Sequence, residues 1–182
     1  CPNCKKKNRI KIKSEVTSEN IDQILDRSLF KVKCLACKEE VTLDYPIKVT
    51  DDAFTIHYTP CQTVEIEDEA RKYMRVCDTF DDFKEKLLIM KDSLNDIIIE
   101  LLKDYLILEL DEEIKKEIRD IRYDGQNDEL LIFYLIGAEK SVGCSKEIYA
   151  KLLKKYKIKK ITKCVNVDHQ TYKKYLKKRF LI

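Results

Sequence analysis

Two cysteine pairs, Cys1/Cys4 and Cys34/Cys37, share the C-x-x-C spacing, with 29 residues between them. A two-residue spacer curls the chain so that both sulfurs of a pair face one centre. Backbone N–H groups of such a knuckle can donate to thiolate sulfur, and Pro2 pre-sets φ in the first turn. Four thiolates close a tetrahedron and leave no position for water or substrate, so the expected site is structural and not a Lewis acid. Zn²⁺ with four thiolates carries a net −2, which Lys5, Lys6, Lys7, Lys33 and Lys38 beside the ligands would offset. Binding would supply on the order of 10 kcal/mol of folding free energy.

Thiolate tetrahedra accept zinc or iron, and a 29-residue spacer is about what rubredoxin-like iron sites use. Those sites sit on an aromatic core with a Gly after each pair. Here Lys5 and Lys38 follow the pairs, and Phe30 is the one aromatic residue before Cys37. Zinc is therefore the expected ion, with iron second. If the knuckles need a positive-φ residue, Lys occupies it at some cost in strain. A redox dithiol at Cys1-Pro-Asn-Cys4 would need a preceding strand and a βαβ context, and it would leave the second pair unexplained.

Other reactive side chains have plainer readings. Cys61, Cys77, Cys144 and Cys164 lack C-x-x-C spacing and read as small buried hydrophobes. His57 and Cys61 could meet as base and nucleophile if Pro60 turns the chain back, since four residues along a strand span about 13 Å. They are the candidate site of a rival, enzymatic reading. Asp168 before His169 suits a helix cap. Asp81/Asp82 and Asp111 to Glu113 fall at expected helix ends, where acids suit the dipole or simply face water. Lys173, Lys174, Lys177 and Lys178 form a basic stripe that could contact phosphates of a nucleic acid.

The elements that must carry these groups read as follows. Ile10-Lys-Ile-Lys alternates like a strand, and Ile21, Ile24, Leu25 and Leu29 share one face of a short helix opening at Thr17 or Ser18. Phe30 to Lys33, Val41 to Tyr45 and Phe54 to Tyr58 alternate, with a hairpin expected around Asp51-Asp52. After the acidic stretch Glu65 to Glu69, Lys72 to Cys77 suits a strand, and Asp78 or Thr79 can cap a helix burying Phe80, Phe83, Leu87 and Met90. Leu94, Ile97, Ile98, Leu101, Leu102, Tyr105 and Leu106 make the strongest helical pattern, over residues 93 to 110. Asp124-Gly125 reads as a turn between Ile118 to Tyr123 and Leu130 to Ile136, the latter apolar on both faces as a central strand would be. Ser145 caps a helix, Ile158 to Val167 reads as a strand, and Asp168 caps a last helix with Tyr172, Tyr175 and Leu176. Hairpins and helices without regular βαβ spacing predict an α+β fold.

Composition excludes several classes. Three scattered glycines cannot build a phosphate-cradling loop or a dinucleotide fingerprint. The longest apolar run, Leu130 to Ala138, is nine residues, half of a membrane span, and no signal-peptide pattern is present, so a cytoplasmic protein is expected. The net +3 hides blocks of +6 (residues 1–38), −14 (39–130) and +11 (131–182). The bases are 29 Lys against 7 Arg, beside 21 Ile, a bias that AT-rich coding produces without selection for binding.

Cys1-Pro-Asn-Cys4, Ile24 to Cys37 and Val41 to Pro46 resemble the CpXC proteins, a prokaryotic family named for two such cysteine pairs. The similarity extends through Phe83 to Ile89 and Ile98 to Lys103. The resemblance implies two metal-binding knuckles and assigns no biochemical task. The expectation is a zinc-ribbon-like module over residues 1–64 and an α+β domain over 65–182 with basic C-terminal helices. It would act as a binding or scaffold module for an unidentified partner, with the His57/Cys61 enzyme and the nucleic-acid protein as alternatives.

Overall fold

The computed structural model describes residues 1–60, 73–159 and 165–176. The acidic stretch 65–69, Cys61, Cys164, Lys177, Lys178 and the middle half of the strand expected over 158–167 lie outside the described residues. The chain divides into two compact units, Cys1–Lys84 and Glu85–Ile182. Strands and helices occur in both, an α+β fold.

The first unit holds β1 (Glu15–Thr17), α1 (Ile21–Leu25), β2 (Lys31–Lys33), β3 (Glu40–Thr42), β4 (Ile47–Thr50), β5 (Phe54–Tyr58), β6 (Tyr73–Cys77) and the start of α2 (Phe80–Lys91). Four strands form a mixed sheet in the order β1-β4-β5-β6, with β1 parallel to β4 and β6 parallel to β5. The expected hairpin is β4–β5: Asp51 Oδ1 accepts the Ala53 and Phe54 N–H groups at 2.7 and 3.0 Å and fixes the turn. Thr79 and Asp82 cap α2 reciprocally, the Thr79 hydroxyl donating to Asp82 Oδ2 and accepting the Asp82 N–H.

Two expectations here need correction. Ile10 to Lys13 is not a strand, and Ile10 and Ile12 are exposed. Pairing with β4 begins only at Ser14, whose carbonyl accepts the Lys48 N–H, so the Ile/Lys alternation has no partner edge. The first helix also stops at Leu25. Asp26 accepts the Ser28 N–H at 2.8 Å and Arg27 turns left-handed (φ 61°), which throws Leu29 out of the helical register. The turn delivers Phe30 into an aromatic cluster, 5.2 Å from Tyr45 and 5.6 Å from Phe80, while Tyr58 stacks on Phe83 at 5.1 Å.

In the second unit α3 (Asp96–Glu109) and α4 (Glu112–Glu117) precede an antiparallel sheet of β7 (Asp120–Gln126), β8 (Leu130–Ile136) and β9 (Lys140–Ser145), followed by α5 (Lys146–Lys155). β8 is central, with Leu131, Phe133 and Leu135 buried on one face and the alternate residues half-buried on the other. Asn95 caps α3, accepting the Ile97 and Ile98 N–H groups, and Ser145 caps α5 through the Glu147 N–H. Ile99, Leu102 and Leu106 pack with Ile121, Tyr123, Leu131 and Phe133, and Ile97, Ile98 and Leu101 pack with Tyr156, Val167, Tyr172 and Leu176. α3 is thus buried over most of its circumference. Three of its charged residues, Asp96, Glu100 and Lys103, are buried as well: Lys103 bridges Glu85 (2.7 Å) and Glu100 (3.0 Å), and Lys86 reaches the other Glu100 oxygen at 3.1 Å. Part of the −14 block therefore faces inward.

Asp124-Gly125 is not the hairpin turn. Gly125 (φ 133°) makes a bulge inside β7, and the reversal comes at Asn127, whose side chain accepts the Glu129 and Leu130 N–H groups. The last expected helix is, within the described residues, one 3₁₀ turn over Tyr172–Tyr175. Asp168 does not cap it: its side chain accepts the Gln170 and Thr171 N–H groups just before the turn, whose N-cap position is Thr171 without a side-chain cap, and Leu176 leaves the turn to bridge Ile158, so the Lys173 and Lys174 side chains are not on rows of an α-helix. Among the described residues no helix is long and apolar enough to cross a membrane.

Candidate metal centre

Each cysteine pair closes its own tight turn. The Lys5 N–H donates to the Cys1 carbonyl at 3.0 Å and the Lys38 N–H to the Cys34 carbonyl at 2.9 Å. The residue after each pair is left-handed, Lys5 at φ 60° and Lys38 at φ 65°. These are the positive-φ positions anticipated from the missing glycines. The second knuckle is the tip of the β2–β3 hairpin, in register from Lys31↔Thr42 to Lys33↔Glu40, so the sheet fixes where Cys34 and Cys37 point.

The four sulfurs converge, all within 4.8 Å of one another. Cys1 Sγ lies 3.8 Å from Cys37 Sγ, and Cys4 Sγ lies 3.6 Å from Cys34 Sγ. A tetrahedron of sulfurs about 2.3 Å from a central ion has edges of about 3.8 Å. The donor set therefore fits a thiolate-bound ion. Cys34 is buried and the other three are half-buried. Among the described residues, these four form the one cluster of three or more His, Cys, Asp and Glu side chains with that convergence.

Backbone dipoles prepare the site for thiolates. The Cys37 and Ala36 N–H groups draw the Cys34 thiol down to about 6. At Cys37 the Glu39 N–H pulls the same way, but burial and the neighbouring Cys34 and Cys4 outweigh it and hold that thiol above its ordinary value. A cation between the sulfurs would remove that mutual repulsion.

Asn8 is the contributor that spacing did not reveal. Its Nδ2 donates to Cys34 Sγ at 3.4 Å and to the Lys6 carbonyl at 3.2 Å, while Oδ1 accepts the Leu35 N–H at 3.2 Å. One side chain thereby ties the first knuckle to the second. A polar residue a few positions beyond a C-x-x-C pair was the available signal.

The remaining candidates scatter. Cys77 and Cys144 are buried, as expected of small hydrophobes. His57 lies in β5 opposite Lys48 and Val76, and its proposed partner Cys61 is outside the described residues. His169 and Lys173 both reach Asp104, at 3.0 and 2.9 Å, and Lys177 and Lys178 are outside the described residues.

No curated protein and no solved structure matches the chain. A family model does: that of the CpXC protein, over residues 1–103, which contains both knuckles, Asn8 and the first turns of α3. That match covers more than half of the chain, and with the four converged cysteines inside it the chain belongs to the CpXC protein family.

Proposed function

We propose that Cys1, Cys4, Cys34 and Cys37 hold one structural Zn²⁺, that the knuckle-and-hairpin segment is a zinc-ribbon-like module, and that the protein acts as a non-enzymatic binding or scaffold module. The observation that carries this reading is the sulfur tetrahedron, with S···S edges of 3.6 and 3.8 Å. Four thiolates complete the shell of the ion, so no coordination position is open to activate water or polarise a carbonyl. The ion's work is then conformational: it joins two short loops that have few apolar side chains of their own. Metal favours the thiolate forms, and Lys5 and Lys38 adjoin the resulting negative charge.

Metal analysis of the purified protein tests the reading. About one equivalent of zinc is expected, with the four thiols protected from alkylation until a chelator is added. Less than about half an equivalent of any metal, with all four thiols alkylated in the native state, overturns it. One equivalent of iron in place of zinc would keep the structural role and correct the ion.

A further inference from the structure

The first unit carries an apolar groove beside the metal centre. It measures about 340 Å³ and is lined by Ile10, Ile12, Val32, Val41 and Leu43, with Cys1 and Cys34 at one end. A metal ion needs no more room than a water molecule, about 30 Å³, so most of the groove lies outside the sulfur tetrahedron. Val32 and Val41 are partners across the β2–β3 hairpin and, like Leu43, are half-buried. Ile10 and Ile12 are 37% and 43% exposed. Neighbouring apolar side chains left in water around one groove mark a surface that a partner covers.

The backbone beside the groove is unpaired as well. Among the described residues no hydrogen bond reaches the N–H or carbonyl groups of residues 10–13, and all four residues are exposed. Charge there is one-sided: residues 1–14 hold six Lys and Arg and no Asp or Glu. Lys11 and Lys13 alternate with the two isoleucines and make no ion pair to another described residue.

We propose that the groove takes up an extended acidic segment of a partner protein, one in which apolar and acidic residues alternate, laid along residues 10–13. This rests on the reading of the chain as a binding module and names the chemistry of its partner. A strand added beside residues 10–13 sets one of its residues opposite each of them on the same side. Apolar residues then meet Ile10 and Ile12, and carboxylates meet Lys11 and Lys13. Single-stranded nucleic acid matches less well, because its bases are held by stacking on aromatic side chains and none lines the groove. A second copy laid symmetrically on this face would set one six-cation segment against another.

The probe is a fluorescein-labelled peptide of about nine residues in which Glu alternates with Val, titrated with the full chain and read by fluorescence anisotropy. Saturable binding is expected with a midpoint of about 10–100 μM. A peptide of the same composition, with its Glu and Val residues in two blocks, should bind at least about tenfold more weakly because it cannot keep the register. Lys11→Glu combined with Lys13→Glu should weaken the alternating peptide by at least about tenfold and gain binding to one in which Lys alternates with Val. Ile12→Ser should weaken the first peptide by about the same factor, and Lys154→Gln, on α5, should leave its midpoint unchanged. Lys11 and Lys13 are exposed, so the charge-reversed variant carries the test should Ile12→Ser prove unstable in thermal unfolding.

Equal affinity for the blocked peptide, or equal weakening by Lys154→Gln, means a general charge effect and overturns the proposal. So does the absence of saturable binding below about 1 mM. A mixed-sequence single-stranded oligonucleotide that binds more tightly than the peptide and loses affinity in Ile12→Ser would assign the groove to nucleic acid instead. Dimerisation seen by light scattering and abolished by Ile12→Ser would assign it to a second copy. Zinc content is measured on the same samples. A zinc-loaded chain that ignores the peptide overturns the groove and leaves the metal reading standing, and a metal-free chain that binds it does the reverse.

Discussion

The Asn8 amide donates to Cys34 Sγ at 3.4 Å and, through Oδ1, accepts the Leu35 N–H at 3.2 Å, so one side chain spans the two knuckles. A hydrogen bond to thiolate disperses its charge, and the second contact fixes the turn that aims it. Outer contacts of this kind are typically worth 10–100-fold in metal affinity. Asn8→Ala is expected to weaken zinc binding by about that factor in competition with a chromophoric chelator. Asn8→Asp weakens it further, because a carboxylate replaces the donor beside a thiolate. Unchanged affinity in both variants would make the Asn8 contact incidental.

Lys5 and Lys38 hold φ of 60° and 65° behind their cysteines. A residue with a Cβ pays roughly 1–2 kcal/mol for that conformation, against the 0.5–1 kcal/mol of extra chain entropy that Gly loses on folding. Replacing both with Gly is therefore expected to raise the stability of the metal-bound protein by about 1 kcal/mol. Lys38→Val, with a branched Cβ, lowers it by more than that. Thermal unfolding at saturating zinc checks both, and a lower melting point for the double Gly variant would mean that the lysine charges outweigh the strain.

These two sites show what the sequence makes legible. Spacing alone located the four converging cysteines and the left-handed positions after each pair, because a C-x-x-C turn is a local object whose geometry is set within five residues. The hairpins and caps at Asp51, Thr79 and Ser145 were legible for the same reason. Asn8 was not, because its partner is 26 residues away. Ile10 to Lys13 misled because alternation states a capacity for pairing, and the β4 edge is occupied only from Ser14 onward. Asp124-Gly125 misled because a positive-φ Gly serves a bulge as well as a turn, and the Asn127 side chain captured the reversal. The Asp104–His169 pair joins residues 65 positions apart, and no local pattern encodes it.

Lys103 sits between two carboxylates, Glu85 and Glu100, with all three side chains nearly inaccessible to water. Removing one partner of such a set leaves charge buried and uncompensated. Lys103→Met should cost about 3–5 kcal/mol in urea unfolding. Lys151→Met, which removes an exposed pairing with Glu147 at 4.0 Å, should leave the midpoint unmoved. Equal effects would show that the buried network contributes no more than a surface pair.

Tyr123 and Tyr172 donate to Asp92 and Asp104, and burial first, then the carboxylate, pushes both phenols well above their ordinary range. A raised folded value means the neutral phenol is the form the fold favours. Its contribution is whole below the unfolded phenol value of about 10 and is lost as pH rises through the folded one. In a spectrophotometric alkaline titration these two tyrosines should ionise last, together with loss of helical signal. Tyr172→Phe is expected to remove part of that late step and to cost about 1 kcal/mol at neutral pH, while early ionisation of all ten tyrosines would contradict the buried contacts.

Gly137 and Gly125 both have positive φ, yet their surroundings differ. A Cβ on Gly137 (φ 102°) would lie 2.2 Å from the Glu117 carbonyl oxygen, a backbone atom that moves only if the end of α4 moves, whereas one on Gly125 (φ 133°) would meet nothing within 4 Å. Gly125→Ala therefore meets backbone strain alone, about 1–2 kcal/mol. Gly137→Ala meets that strain and a steric overlap, and it also disturbs the close approach at which the Arg119 N–H donates to the Ile136 carbonyl at 2.7 Å. It should be the more destabilising by 2 kcal/mol or more, in the roughly 1–3 kcal/mol range of overpacking added to strain. Because Arg119 follows Glu117 by two residues, Gly137→Ala should also shift the Arg119 amide resonance, and Gly125→Ala should not. Equal melting points for the two variants would show that α4 yields freely at Glu117, and that Gly137 is required there for its φ and not for the space it leaves.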